Sequence, residues 1–450
     1  MNDYQRVADA VARDIRSGRL RPGDRLPPQR AFARQRRIAP STAARVYAEL
    51  ARRGLTVGEV GRGTFVRAGA DAAPGVPALS EPVARGHVDL ELNHPLLPGR
   101  AAALAAGLGG LLRPDVLAAA LAPSGVAGTA AARDAAGALL ARGGWRPAAD
   151  DVLFTGNGRQ AIAAAVAALV PPGGRLGTER LTYPVLAALA ARAGVRLVPL
   201  AMDGDGLLPE AVEEAHRAAP LHAVYVQPVL HNPLSVTMPE ARARALADVL
   251  RRTGLPAVED GIWSFLRDDV PPLAAYAPDR VVLIDSLSKR IAPGLPLGFA
   301  VVPPGLRDGV ARAVRAGGAA PGRFVLEAVA RWVADGTARD LAAAKRRDAA
   351  ARQEILAGAL GGFALRTDPC SYFCWWDLPP AWRADTFVVA AARRGVSVTP
   401  AAAFAVGDAG TPAAVRVALA APPPEVLERS LRVLAGVARS DPRDEASDDR

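Results

Sequence analysis

Asp285-Ser286-Leu287-Ser288-Lys289-Arg290-Ile291-Ala292-Pro293-Gly294 is the stretch whose reading decides the fold. It carries one of only two lysines in a chain of 450 residues in which Lys and Arg together number 55; the other is Lys345. A guanidinium stays protonated and cannot condense with an aldehyde, whereas a desolvated amine can lose its proton and act as a nucleophile. Lys289 is therefore a candidate Schiff-base residue, weighed against the plainer reading of a surface lysine that survived a general replacement by arginine. The residues on either side decide between the two.

Lys289 follows an apolar run, Val281–Asp285, which reads as a buried strand. Six further runs of the same kind occur at Val152–Phe154, Arg175–Gly177, Val195–Leu200, Ala223–Val226, Ala257–Glu259 and Phe299–Val302, separated by Ala/Leu-rich helical stretches. Seven buried strands alternating with helices predict an α/β unit with a mostly parallel seven-stranded sheet. Ligands of such sheets bind beyond the carboxyl ends of the strands, and the polar clusters fall there. Thr155-Gly156-Asn157-Gly158-Arg159-Gln160 opens a helix after the first strand, a turn suited to a phosphate. Thr182-Tyr183-Pro184 puts an aromatic ring near the second strand end, and His231-Asn232-Pro233 puts an amide past the fourth. Glu259-Asp260 ends the fifth, and Asp285-Ser286 with Lys289 ends the sixth. A phosphate cradle, a stacking ring, an amide, a carboxylate and an amine are the parts needed to hold pyridoxal 5′-phosphate. Each has a structural reading when taken alone; their shared order and location carry the inference.

Composition bounds the rest. Half of the residues are apolar but only 5% are aromatic, so the core is built from small and aliphatic side chains. No uninterrupted strongly apolar run reaches the length of about 18 residues needed for a membrane span, and the N-terminus lacks a signal peptide's apolar core. A cytoplasmic protein without membrane partners is the expectation. Cys370 and Cys374 read as packing residues, and the five histidines show no metal-ligand spacing, so no metal is expected.

Charge is unevenly distributed. Residues 1–70 hold fifteen arginines against six acidic residues, an excess of nine, compared with +10 for the whole chain. A basic segment joined to a near-neutral remainder is the footprint of a nucleic-acid-binding unit. Apolar periodicity predicts helices near Tyr4–Ile15, Gln29–Arg36 and Pro40–Arg53, with Gly18 and Gly54 as stops. Leu55–Glu59 and Thr64–Arg67 read as two strands around a tip at Val60-Gly61-Arg62-Gly63. That order predicts a winged helix-turn-helix in which Ser41, Thr42 and Arg45 face the major groove of double-stranded DNA and Arg62 reaches out from the wing.

This segment resembles the DNA-binding domain of GntR-type bacterial regulators. The resemblance rests on Gly18-Arg19-Leu20, Pro22-Gly23, Arg25-Leu26-Pro27, Arg30, Thr42, Tyr47, Leu50, Gly54-Leu55 and Gly61 with Gly63-Thr64 and Val66. The larger unit resembles the fold-type I aminotransferases, and the two together resemble the MocR subfamily of GntR regulators. The resemblance implies that Lys289 forms an internal aldimine with pyridoxal 5′-phosphate and that Asp260 pairs with the pyridine nitrogen. It implies that Asn232 bonds the ring hydroxyl, Tyr183 stacks on the ring, and Asn157, Gly158, Arg159 and Ser286 surround the phosphate. Arg416, in Ala414-Val415-Arg416-Val417, matches the arginine that receives a substrate carboxylate. Arg30 joins Ser41, Thr42, Arg45 and Arg62 as a DNA-contacting residue. The chain departs from the pattern at Ala39 and Pro40, where Ser and Arg are usual, at Ile262, where a tyrosine is usual, and at Pro296, where a phosphate-binding arginine is usual. Arg159 or Arg290 could stand in for that arginine.

The expected organisation is a winged helix-turn-helix over 1–68, an Ala/Gly/Pro-rich linker over 69–87, and an aminotransferase-like domain over 88–439. Within the last, a small C-terminal α+β subdomain is expected from about residue 305, followed by a disordered tail over 440–450. The function so implied is a transcriptional regulator, acting as a homodimer, that senses an amino acid, an amine or the cofactor itself without turnover in the cell. The alternative is an active pyridoxal-phosphate-dependent aminotransferase with an accessory DNA-binding domain.

Overall fold

The computed structural model describes residues 3–16, 19–21, 23–52, 54–59, 63–66, 87–407 and 411–442. Gly18, the wing-tip residue Arg62, most of the linker and residues 443–450 of the tail lie outside them.

In the basic segment, helices α1 (Asp3–Arg16), α2 (Gln29–Arg36) and α3 (Pro40–Arg52) turn their apolar stripes inward, burying Val11, Ile15, Phe32, Val46, Tyr47 and Leu50 together. The α2–α3 connection is tight because Arg37 adopts a left-handed backbone (φ 52°). Strands β2 (Thr56–Glu59) and β3 (Gly63–Val66) pair antiparallel with Thr56 opposite Val66. A third strand, β1 (Arg25–Leu26), adds to the other edge of β3, in a stretch where the sequence pattern predicts neither helix nor strand. Two residues are too few to show alternation, and the pairing is made by the backbone. The result is a helix-turn-helix followed by a three-stranded wing.

The large unit is built on seven buried strands: β4 (Val152–Thr155), β5 (Arg175–Glu179), β6 (Arg196–Leu200), β7 (Ala223–Val226), β8 (Ala257–Asp260), β9 (Val281–Ser286) and β10 (Gly298–Val301). They lie in the order β4-β10-β9-β8-β7-β5-β6, all parallel except β10, which runs against both its neighbours. The β5, β7, β8 and β9 ends therefore open on one edge, and Glu179, Asp260 and Ser286 arrive there as the last residues of their strands.

A four-stranded antiparallel sheet, formed by Ala364–Arg366, Phe373–Asp377, Ala414–Ala418 and Thr399–Pro400, makes the smaller unit. The sequence reading starts this unit near residue 305; the packing moves its beginning. Val310 and Val314 of helix Pro304–Ala316 share a core with Ile162 and Ala165, and Leu326 and Val329 of helix Arg323–Ala334 pack with Phe154 and Phe299. Both helices thus cover the central sheet. The smaller unit's own core gathers Leu356 and Leu360 from the long helix Thr337–Leu360 with Trp376, Phe387 and Leu431, and it also takes in Leu90, just past the linker. The Arg393 guanidinium of this unit donates to the Gly23 carbonyl of the DNA-binding unit at 3.1 Å. No single helix among the described residues is long and apolar enough to cross a membrane.

Candidate cofactor and effector site

Strand ends of the central sheet and the segment just past the linker converge on Lys289. The residue lies in the short helix Leu287–Arg290, which is capped by Ser286: its Oγ accepts from the Ser288 N–H at 3.3 Å and meets the Ser288 Oγ at 2.6 Å. Lys289 Nζ donates to the Asn93 carbonyl at 2.6 Å and sits 5.3 Å from the centre of the Trp263 ring. Burial, reinforced by the positive charges of Arg416, Arg159 and Lys345, lowers its pKa to about 7. Near neutral pH a large share of Lys289 is thus the free amine, the form that attacks a carbonyl.

The phosphate-type cradle is formed where β4 turns into helix Gly158–Leu169. Asn157 caps that helix, its Oδ1 accepting from the Gln160 N–H at 3.0 Å. The turn is packed too closely for side chains: a Cβ on Gly298 would lie 2.3 Å from Thr155 Oγ1 and 2.5 Å from the Asn157 backbone. A Cβ on Gly158 would sit 3.3 Å from Ser286 Cβ, so the cradle and the cap of the Lys289 helix face each other. Arg159 projects from the first turn, and its Nε donates to the Tyr183 hydroxyl at 3.2 Å. Arg290 is not available there: it is buried and bridges Asp285 at 2.6 Å. Pro296, in the position of the missing arginine, is exposed and supplies no charge.

Opposite the cradle, Asp260 is 5% exposed. One carboxylate oxygen accepts from the Tyr225 hydroxyl at 2.5 Å and the other from the Ile262 N–H at 3.1 Å. Burial raises its pKa to about 6, so the group is mostly ionised at neutral pH and lacks a cationic partner at hydrogen-bond distance among the described residues. Asn232 is held in a loop that passes through left-handed backbone at Leu230 and Ser235 and through a cis bond to Pro233. Ser235 is pinned by the Phe373 carbonyl at 2.7 Å.

Arg416 comes from the middle of the small sheet and reaches the same site. Its Nη1 donates to Asn232 Oδ1 at 3.1 Å; its Nη2 donates to Thr399 Oγ1 at 3.2 Å and to the Glu91 carbonyl. The guanidinium stacks 5.0 Å from the Phe404 ring, and its Nε is buried without a partner. Burial lowers its pKa to about 10, with Glu91 and Asp89 acting in the opposite direction.

Lys289, Asp260, Asn232, Tyr183, Arg159, Ser286, Asn157, Gly158 and Arg416 are thus brought into one neighbourhood. Sequence reasoning missed Tyr225, Trp263, Glu91 and Asn93. Tyr225 had a signal, a phenol inside the otherwise aliphatic strand Ala-Val-Tyr-Val, and Trp263 stands three residues past Asp260. The carbonyls of Glu91 and Asn93 had none, because any residue type carries one. A separate cleft of about 500 Å³ near Val229, Met238 and Tyr276 is lined by none of these groups, and its Arg267 is already paired with Asp269 and Asp368.

On the DNA side, Arg30, Ser41 and Arg45 are exposed, Thr42 is half-buried, and the last three lie in the first two turns of α3.

The strand order, the reversed β10 and the amine at the β9 end define an aminotransferase-type domain behind a winged helix-turn-helix. Residues 125–434 match the family described as aminotransferase class I and II, and residues 3–66 match the bacterial regulatory proteins of the gntR family. The HTH-type transcriptional regulator YdeF of Bacillus subtilis is 30% identical over 435 residues, covering 96% of this chain and 93% of that one. YjiR of Escherichia coli, also named an HTH-type transcriptional regulator, is 28% identical over 325 residues, 66% of this chain and 69% of its own. Kynurenine aminotransferase of Pyrococcus horikoshii superposes with a TM-score of 0.71 at 21% identity, covering 79% of this chain and 91% of that one, a likeness of fold. The chain belongs to the aminotransferase class I and II family, a pyridoxal-phosphate-dependent fold family, and the gntR-family domain joined to it makes it a regulator of the MocR subfamily of GntR-type regulators.

Proposed function

We propose that this protein is a DNA-binding transcriptional regulator whose aminotransferase-like unit holds pyridoxal 5′-phosphate at Lys289 and senses an amino acid, an amine or the cofactor itself. When bound, the cofactor supplies an aldehyde and an electron-withdrawing ring. The residues present fit it. The helix N-terminus at Asn157–Arg159 and the Ser286 hydroxyl would take the phosphate, with the Arg159 guanidinium supplying the charge absent at Pro296. Asp260, buried without a cation, would accept a protonated pyridine nitrogen, while Tyr225 keeps the carboxylate oriented. Asn232 would bond the ring hydroxyl, and Tyr183 would cover the ring face. Arg416 would receive an effector carboxylate through its fork of donors.

One observation carries the regulatory reading. The carbonyls of Asn93 and Glu91 occupy Lys289 and Arg416 in this structure, and both belong to the segment that follows the linker from the DNA-binding unit. A ligand that claims either side chain must displace these carbonyls, and the displaced segment is the one continuous with the chain leading to DNA. Such displacement changes DNA affinity only if the two arrangements bind the ligand unequally. The active-aminotransferase reading draws on the same amine and carboxylate, which transamination also needs.

Both readings meet in one experiment. The purified full-length protein is titrated with pyridoxal phosphate and followed by visible absorption, then challenged with amino acids and amines with and without a keto acid, while DNA binding is read by fluorescence anisotropy. A cofactor band in the wild type and none in Lys289→Ala, with effector-dependent DNA affinity and no keto-acid conversion, is the expected result. Steady conversion without any change in DNA affinity would establish the enzyme instead. Light scattering on the same samples reads the proposed homodimer.

A further inference from the structure

The chain's two lysines are 56 residues apart in sequence and touch in space. Lys345 lies in the long helix Thr337–Leu360 and is completely buried. Its Nζ donates to the Lys289 carbonyl at 2.6 Å and to the Ile291 carbonyl at 3.0 Å. These carbonyls sit at the end of the four-residue helix that presents Lys289, where a helix has no internal donors left to satisfy them. The turn of helix carrying Lys345 is itself fixed, since the Tyr372 hydroxyl shares its one proton between the Lys345 carbonyl and the Asp348 carboxylate, each at 2.8 Å.

We propose that Lys345 is a positioning residue for Lys289, holding the helix that carries the amine through two backbone carbonyls and setting a positive charge behind it. The inference rests on Lys289 being the reactive amine. Composition supports it: arginine fills 53 of the 55 basic positions, yet not this one. An ammonium is a compact charge that fits between two carbonyls, whereas a planar guanidinium spreads its donors over a wider fork. The arrangement also joins two parts of the molecule, because the long helix contributes to the small unit's core while Lys289 belongs to the central sheet. When protonated, Lys345 adds to the charges of Arg416 and Arg159 that disfavour protonation of Lys289; burial and the Arg100 charge lower its own pKa to about 7 against the pull of Asp348, so the two amines titrate together, and His94 faces Lys289.

With only two lysines, the test is read directly by mass spectrometry. The full chain, freed of cofactor, is pulsed with formaldehyde and cyanoborohydride between pH 5.5 and 10, and methylation is followed on the peptide containing Lys289. In the wild type, half-maximal labelling is expected near pH 7. In Lys345→Met it should move up by about half a pH unit or more, lowering the labelling rate at pH 7 about twofold or more, because a like charge and a backbone clamp are both removed. Lys345→Gln, which keeps an N–H donor but no charge, should also shift upward and serves if the methionine variant does not fold. Unchanged Lys289 labelling in a folded variant would overturn the proposal and leave Lys345 a merely structural residue. Wild-type labelling only near pH 10 would instead remove the reading of Lys289 as the activated amine, and the role of Lys345 with it.

Discussion

In the DNA-binding unit Arg30, Arg34, Arg36 and Arg45 stand on the surface, whereas Arg142, Arg290, Arg352 and Arg416 of the large unit are all more than nine-tenths buried. The side chain is the same and its energetics are opposite. An exposed guanidinium keeps its hydration and is free to meet a phosphate, so its worth appears in binding and varies with salt. A buried one has lost its water and must be repaid in hydrogen bonds. Arg352 receives that from Asp348 and from the carbonyls of Leu419 and Pro422, and Arg142 from Glu259 and the Val270 carbonyl. Arg416 is the intermediate case, buried but held partly by backbone that a ligand could displace.

The sharpest way to break this contrast is at Arg142. Its Nη2 lies 2.9 Å from Glu259 Oε1, with both side chains almost wholly inaccessible, and Glu259 Oε2 also accepts from the Ala274 N–H. Arg142→Met leaves the carboxylate buried with one partner fewer, a loss of about 3–5 kcal/mol by the usual cost of breaking such a pair. Urea denaturation of the large unit should show the loss, and DNA affinity of the folded protein should be unchanged. A loss below about 1 kcal/mol would mean that burial does not separate the two classes of arginine.

A second test uses pH. Burial raises Glu179 to a pKa of about 8, and it lies 3.8 Å from a His231 whose pKa burial lowers to about 4. Between the ordinary glutamate pKa and about 8 the folded protein holds a proton that the unfolded chain releases, so this group's contribution to stability falls as pH rises through that window. Glu179→Gln removes the penalty. The variant's advantage over wild type should therefore grow between pH 5 and pH 8, approaching roughly 1 kcal/mol per pH unit. Lys289 and Lys345 act in the other sense: their lowered pKa values near 7 make stability rise with pH above that point. Parallel unfolding curves for variant and wild type at all pH values would show that Glu179 ionises normally.

The same contrast explains what the sequence made legible. The basic excess and the helical periods of the first 66 residues are local patterns, and the three helices and both long wing strands lie within a residue or two of the expected positions. Most of the seven sheet strands were legible because they are short, largely apolar runs, and the strand-end clusters because each carries polar residues just past such a run. Three features were not. The β1 pairing is made by two backbone residues, and the partners of Lys289 and Lys345 are carbonyls that no side-chain pattern announces. The start of the small unit was misplaced because helices Pro304–Ala316 and Arg323–Ala334 look alike from either side, and only the tertiary packing shows which sheet they cover. Long-range placement of backbone is what amphipathic patterns do not encode.

The smallest expected effect falls on the surface side, at Arg45. Its guanidinium carbon lies 4.3 Å from the centre of the Tyr4 ring, a cation–π contact worth about 0.5–1 kcal/mol at an exposed site. The contact holds the guanidinium of α3 against α1 before any DNA arrives, so Tyr4 should act through Arg45 and not by touching DNA. Arg45→Ala removes a charge as well as a contact. It should weaken DNA binding about tenfold and reduce the dependence of log affinity on log salt by about one ion. Tyr4→Ala keeps the charge and frees the side chain, so it should weaken binding only two- to fivefold, the equivalent of the lost contact, with the salt slope unchanged. The two substitutions together should be no worse than Arg45→Ala alone, since the ring has nothing left to orient. Additive losses in that double variant would mean that Tyr4 stabilises the unit or meets DNA independently, and the surface arginines would then be less preorganised than this stacking implies.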